Sequence, residues 1–80
     1  MLIDIVEVKP LSSYRLFIKF EDGASGEIDV TQIVPFKGIF AKLADKKYFN
    51  TVHVNKDIGT ICWDNGADLS PCVLYEMIKH

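Results

Sequence analysis

The run Trp63-Asp64-Asn65-Gly66-Ala67-Asp68-Leu69-Ser70-Pro71 constrains the fold more than any other stretch, because it writes a strand exit, a tight reversal and a helix start in direct succession. Asn and Gly both tolerate positive φ, so the backbone can reverse right after Trp63. Ser70-Pro71 reads as an N-cap followed by the first helical position, where the missing N–H of proline costs nothing. Asp68 is read as the brace of the loop between them. The segment says where the chain turns and names no reaction.

Alternation fixes the strands upstream. Leu2 to Ile5, with Val6 and Val8, predicts a first strand ended by Pro10. Tyr14, Leu16, Ile18 and Phe20 alternate with Arg15, Lys19 and Glu21, the period-2 pattern of a sheet with one wet face. Phe17 falls on the charged side and breaks that pattern, which points to a partly covered outer face. Glu21-Asp22-Gly23 is a hairpin turn into a third strand, Ala24 to Val30, with Ile28 and Val30 inward. Asp29 or Thr31 then caps one helical turn, Thr31 to Val34, stopped by Pro35.

A second short helix is expected from Lys37 or Gly38 to Ala44, with Phe36, Ile39, Phe40 and Leu43 on one face and Asp45-Lys46-Lys47 as its solvated exit. Thr51 to Asn55 and Thr60 to Trp63 read as strands joined at Lys56-Asp57-Ile58-Gly59. The last helix runs from Pro71 to about Lys79 with the stripe Val73, Leu74, Met77 and Ile78. The order β-β-β-α-β-β-α predicts an α+β fold: an antiparallel sheet of about five strands with helices packed against it, in one domain spanning 1–80.

At 80 residues a chain hides only a little over ~60% of its surface on folding, so the core is thin. Five Phe, three Tyr and one Trp fill it and favour an apolar surface left over for a partner. The net charge is −2, with mixed signs and no basic stripe, which disfavours binding of nucleic acid by this chain alone. Met1-Leu2-Ile3-Asp4-Ile5 lacks a basic leader, and no run approaches the ~20 apolar residues of a membrane span. The expected compartment is the cytoplasm.

Few side chains carry chemistry. Cys72, in the first turn of the last helix with His53 as its interior base, and Cys62 are candidate thiol nucleophiles; the plainer reading makes them a helix-start residue and a strand hydrophobe. Asp57, Asp64 and Asp68 could converge on a hard cation, although turns are rich in Asp in any case. Cys62, Cys72, His53 and His80 lack zinc-ligand spacing. No catalytic residue, metal or cofactor is therefore assigned. Trp63 is a core anchor or a partner contact, and Trp63, Asp64, Asp68 and Phe17 are the candidate partner-binding residues.

The ordered set Tyr14-Arg15-Leu16-x-x-x-Phe20-x-Asp22-Gly23, Gly26-x-Ile28-Asp29-Val30, Gly38-Ile39-Phe40-x-x-Leu43-x-Asp45, Phe49-x-x-Val52 and Ile61-x-Trp63-x-Asn65-Gly66-Ala67-Asp68-Leu69-Ser70-Pro71-x-x-Leu74-Tyr75 resembles the bacterial domain of unknown function 2442 family over nearly the whole chain. The resemblance implies a small cytoplasmic α+β protein with two antiparallel hairpin units. Some members are fused to a helix-turn-helix domain, for which this chain has no room; others are encoded beside another small protein in a toxin–antitoxin-like arrangement. No catalytic residues come with the family. Members carry Glu where this chain has Cys72, which weakens a helix-start carboxylate role. The expectation is a non-enzymatic protein-interaction module, antitoxin-like or regulatory in its narrower form, whose partner is a neighbouring gene product or a second copy as a homodimer. A small thiol-dependent enzyme or redox protein using Cys72 or Cys62, and a nucleic-acid-associated regulator, are the alternatives.

Overall fold

The computed structural model describes residues 3–79; Leu2, read as part of the first strand, and His80, weighed as a zinc ligand, lie outside them. The elements are β1 (Ile5–Pro10), β2 (Arg15–Phe20), β3 (Ser25–Asp29), 3-10 turns at Val30–Gln32 and Gly38–Ala44, α1 (Lys46–Phe49), β4 (His53–Asn55), β5 (Thr60–Cys62) and α2 (Pro71–Lys79).

The fold is α+β, but the five strands divide into two antiparallel sheets, β1-β2-β3 and β4-β5, instead of the one sheet expected. The reason lies at the start of β1. Ile5 opposes Phe20 and Glu7 opposes Lys19, so Val6 is the extra residue of a β-bulge. A bulge bends its strand and interrupts the ladder. The bond from Ile5 N–H to Gly59 C=O (3.0 Å) joins β1 to the foot of the β4-β5 hairpin.

In the larger sheet the alternation holds. Leu16, Ile18, Phe20 and Ile28 face inward and are buried, while Phe17, half-buried, lies opposite Lys9 and Glu27 on the outer face. Long charged side chains can lay their alkyl stems along apolar surface, and Phe17 has Lys9 and Glu27 as its cross-strand neighbours. Asp22 accepts from Ala24 N–H in the β2-β3 turn, and Asp29 caps the following 3-10 turn by accepting from Thr31 N–H, both at 2.9 Å.

Two helical expectations change. Gly38–Ala44 is 3-10, not α. At three residues per turn Phe40 and Leu43 align, so Leu43 is buried while Ile39 leaves the stripe and is exposed. Asp45, expected in a solvated exit, accepts from Lys47 N–H (2.9 Å) and starts the one-turn helix α1. There Phe49 is buried and meets the rings of Tyr14 and Trp63.

α2 is rotated from the expected stripe: Leu74 is buried, but Val73 and Met77 are exposed. Contacts to the first hairpin set this rotation. The Tyr75 ring stands edge-on to Phe20 with centroids 4.9 Å apart, its hydroxyl donates to Asp22 Oδ2 at 2.6 Å, and Ile78 lies over Gly26.

The Tyr75 bond, reinforced by the Ala24 N–H, holds the Asp22 carboxyl below its ordinary 3.8 and, from the other side, raises the Tyr75 phenol above 10.0. A depressed carboxylate contributes stability above its unfolded pKa that is lost as pH falls through the folded one; a raised phenol contributes below its unfolded pKa and loses it as pH rises. The stability difference between the parent and Tyr75→Phe is therefore expected to be flat from about pH 5 to about pH 9 and to shrink outside that window. Urea melts of both proteins across pH check this.

Candidate functional site

The Trp63–Pro71 segment folds back along β5. Trp63 N–H donates to Ala67 C=O (2.9 Å), Leu69 N–H donates to Ile61 C=O (3.4 Å), and Cys62 bridges Asp68 through the backbone. Gly66 has φ +93, as the turn requires. The brace is Asn65, not Asp68: its Oδ1 accepts from Ala67 N–H (3.1 Å) and its Nδ2 donates to Ile39 C=O (2.9 Å), while its N–H donates to the Tyr48 hydroxyl (2.9 Å). Ser70 Oγ accepts from Val73 N–H (3.4 Å) at the start of α2.

Trp63 is 1% exposed and its Nε1–H donates to Phe49 C=O at 3.0 Å, so its ring belongs to the core. Asp64 and Asp68 are exposed, and Phe17 lies on the outer face of the other sheet. The four candidate contact residues do not form one surface. Nor do Asp57, Asp64 and Asp68 form a cation site: among the described residues no three His, Cys, Asp or Glu side chains are grouped to hold a metal.

His53 pairs with Cys62, its cross-strand partner, not with Cys72. Cys62 Sγ lies 3.4 Å from His53 Nε2, and His53 Nδ1 lies 3.2 Å from Thr51 C=O. A carbonyl can only accept, so the Nδ1 contact requires the proton on Nδ1; in the neutral ring the Nε2 lone pair then faces the thiol. Asp64 Oδ1 stands 3.8 Å from the same Nε2, placed to stabilise an imidazolium. Cys62 is buried and Cys72 exposed. Counting outward from the Lys56–Gly59 turn pairs Asn55 with Thr60 and so His53 with Cys62; the sequence carried that signal, and the expectation of Cys72 missed it.

A concavity lies elsewhere. A groove of about 430 Å³ opens where the two sheets part, lined by Asp4, Ile5, Val6, Glu21, Val54, Lys56 and Gly59. The bulge turns Val6 outward, and Val6 and Ile58, the latter next to Gly59, are each 52% exposed. None of these residues was singled out from sequence. The signal was a phase break: Ile5 and Val8 share a strand at an odd spacing, which a bulge between them reconciles.

The profile of the family described as "Protein of unknown function (DUF2442)" matches residues 5–80. The chain belongs to this family. No curated protein and no solved structure matches it. Among the described residues no helix is long and apolar enough to cross a membrane.

Proposed function

We propose that this chain is a non-enzymatic protein-interaction module of the bacterial cytoplasm, acting on the product of an adjacent gene or on a second copy of itself, in its narrower form as the antitoxin-like or regulatory member of a two-gene pair. The observation that supports the reading is the groove at the β1 bulge, with Val6 and Ile58 exposed beside it. Two β-branched side chains held half in water on a chain this small favour a protein partner. Co-expression of the tagged chain with the adjacent gene product tests it: co-purification is expected, and growth inhibition by that product alone, relieved by this chain, supports the narrower form. Separate elution of the two proteins, with this chain running as a monomer in size-exclusion chromatography, contradicts the reading.

A second reading, a thiol-dependent activity at Cys62, is favoured by its 3.4 Å contact with His53 Nε2. It expects a maleimide to label Cys62 faster than the exposed Cys72 at neutral pH, and His53→Gln to slow Cys62 alone. Labelling confined to Cys72 eliminates it.

A further inference from the structure

The groove's chemistry narrows the partner, an inference that rests on the interaction reading above. Two strand edges flank it. Among the described residues β1 pairs only with β2, and β4 only with β5, while the far edge of β5 is taken by Ala67–Leu69. β1 approaches the second hairpin through Ile5 N–H and Gly59 C=O, and the bulge then carries the two sheets apart. A gap between two strand edges suits an added strand, whose main chain bonds to an edge while alternate side chains enter pockets.

The walls decide which side chains those are. Val6 and Val54 supply apolar surface, and Asp4 and Glu21 supply carboxylates. Glu21 N–H donates to Asp4 C=O at 2.9 Å, which sets the two acids side by side. Neither belongs to an ion pair among the described residues, where the pairs are Lys9–Glu7, Arg15–Glu27 and His53–Asp64. Among the described residues Lys56 is the one ammonium lining the groove, and the acids there outnumber it. An occupant that is wholly apolar leaves this charge unmatched; an acidic one meets repulsion.

We infer that the groove takes an extended segment of a partner protein carrying an apolar residue and, two positions away, a Lys or Arg. The period of two puts both side chains on the groove side of the added strand. The apolar side chain lies against Val6 and Val54, and the cation meets Asp4 and Glu21.

Panning the full chain against a phage-displayed library of random heptapeptides tests this. Recovered peptides are expected to share an apolar residue two positions from Lys or Arg. Their affinity should fall about tenfold in Asp4→Asn/Glu21→Gln and fall with added NaCl in the parent, the latter reading needing no variant to fold. Peptides without a cation, or binding that neither the double variant nor salt weakens, overturn the inference and leave the interaction reading standing. Recovery of no peptide also overturns it, and co-expression then decides the wider reading by itself.

Discussion

Replacing Trp63 with alanine is expected to cost about 3–5 kcal/mol and to shift the urea midpoint well below that of the parent. Trp63 is 1% exposed among buried neighbours that include Phe49, Ile61 and Leu69. Removing the indole takes away its transfer free energy and opens a cavity that a thin core cannot collapse to fill. A chain of 80 residues has a total stability of roughly 4–12 kcal/mol, so one side chain accounts for a large share of it. Trp63→Phe separates packing from hydrogen bonding. It keeps a ring but removes the Nε1–H donor to Phe49 C=O, a carbonyl that also accepts from Val52 N–H at 3.3 Å. The loss is expected to be smaller, about 1–2 kcal/mol. Urea melts followed by far-UV circular dichroism check both; an alanine variant as stable as the parent would place the ring outside the core.

Gly26→Val is expected to destabilise by about 1–3 kcal/mol, the usual range for overpacking, by lifting α2 off β3. In a strand interior, glycine is ordinarily a weakness, and adding a side chain should help by roughly 0.5–1 kcal/mol. Here the sign reverses, because a Cβ at position 26 falls 3.0 Å from both Cβ and Cγ2 of Ile78. These atoms sit at the root of a β-branched side chain and cannot swing aside. Moving the helix back also strains the Tyr75 bond to Asp22 and the edge contact with Phe20. Pairing the change with Ile78→Ala removes the Cγ2 contact and leaves the Cβ contact, so the double variant should recover part of the loss and be more stable than the sum of the two single losses implies. Additive losses would show that Ile78 is not what Gly26 accommodates.

What the sequence made legible is what local rules decide. The alternation of β2, the Asp22-Gly23 hairpin, the Asn65-Gly66 reversal and the Ser70-Pro71 helix start each depend on a few adjacent residues, and each stands where it was read. The outer-face position of Phe17 followed from the same alternation. The rest depends on distant partners. Nothing near Val73 or Met77 says that Tyr75 will find Asp22, 53 positions away, and turn the helix about its axis. Ile39 left its expected face because the turn tightened to 3-10, a choice that composition does not separate from α over seven residues. The candidate site was the least legible part. Trp63 drew attention as a rare aromatic and proved to be core, whereas the groove arises from a one-residue bulge that splits one expected sheet into two.

The most direct measurement is capture of the co-expressed neighbouring gene product by the Val6→Asp/Ile58→Asp variant, beside the parent and a Val73→Asp/Met77→Asp control. All four side chains are exposed, so both variants should melt close to the parent. The expected result is capture by the parent and the control, and its loss in Val6→Asp/Ile58→Asp. Undiminished capture by a folded Val6→Asp/Ile58→Asp chain, or loss confined to the α2 control, would contradict the assignment of the interaction face to the groove.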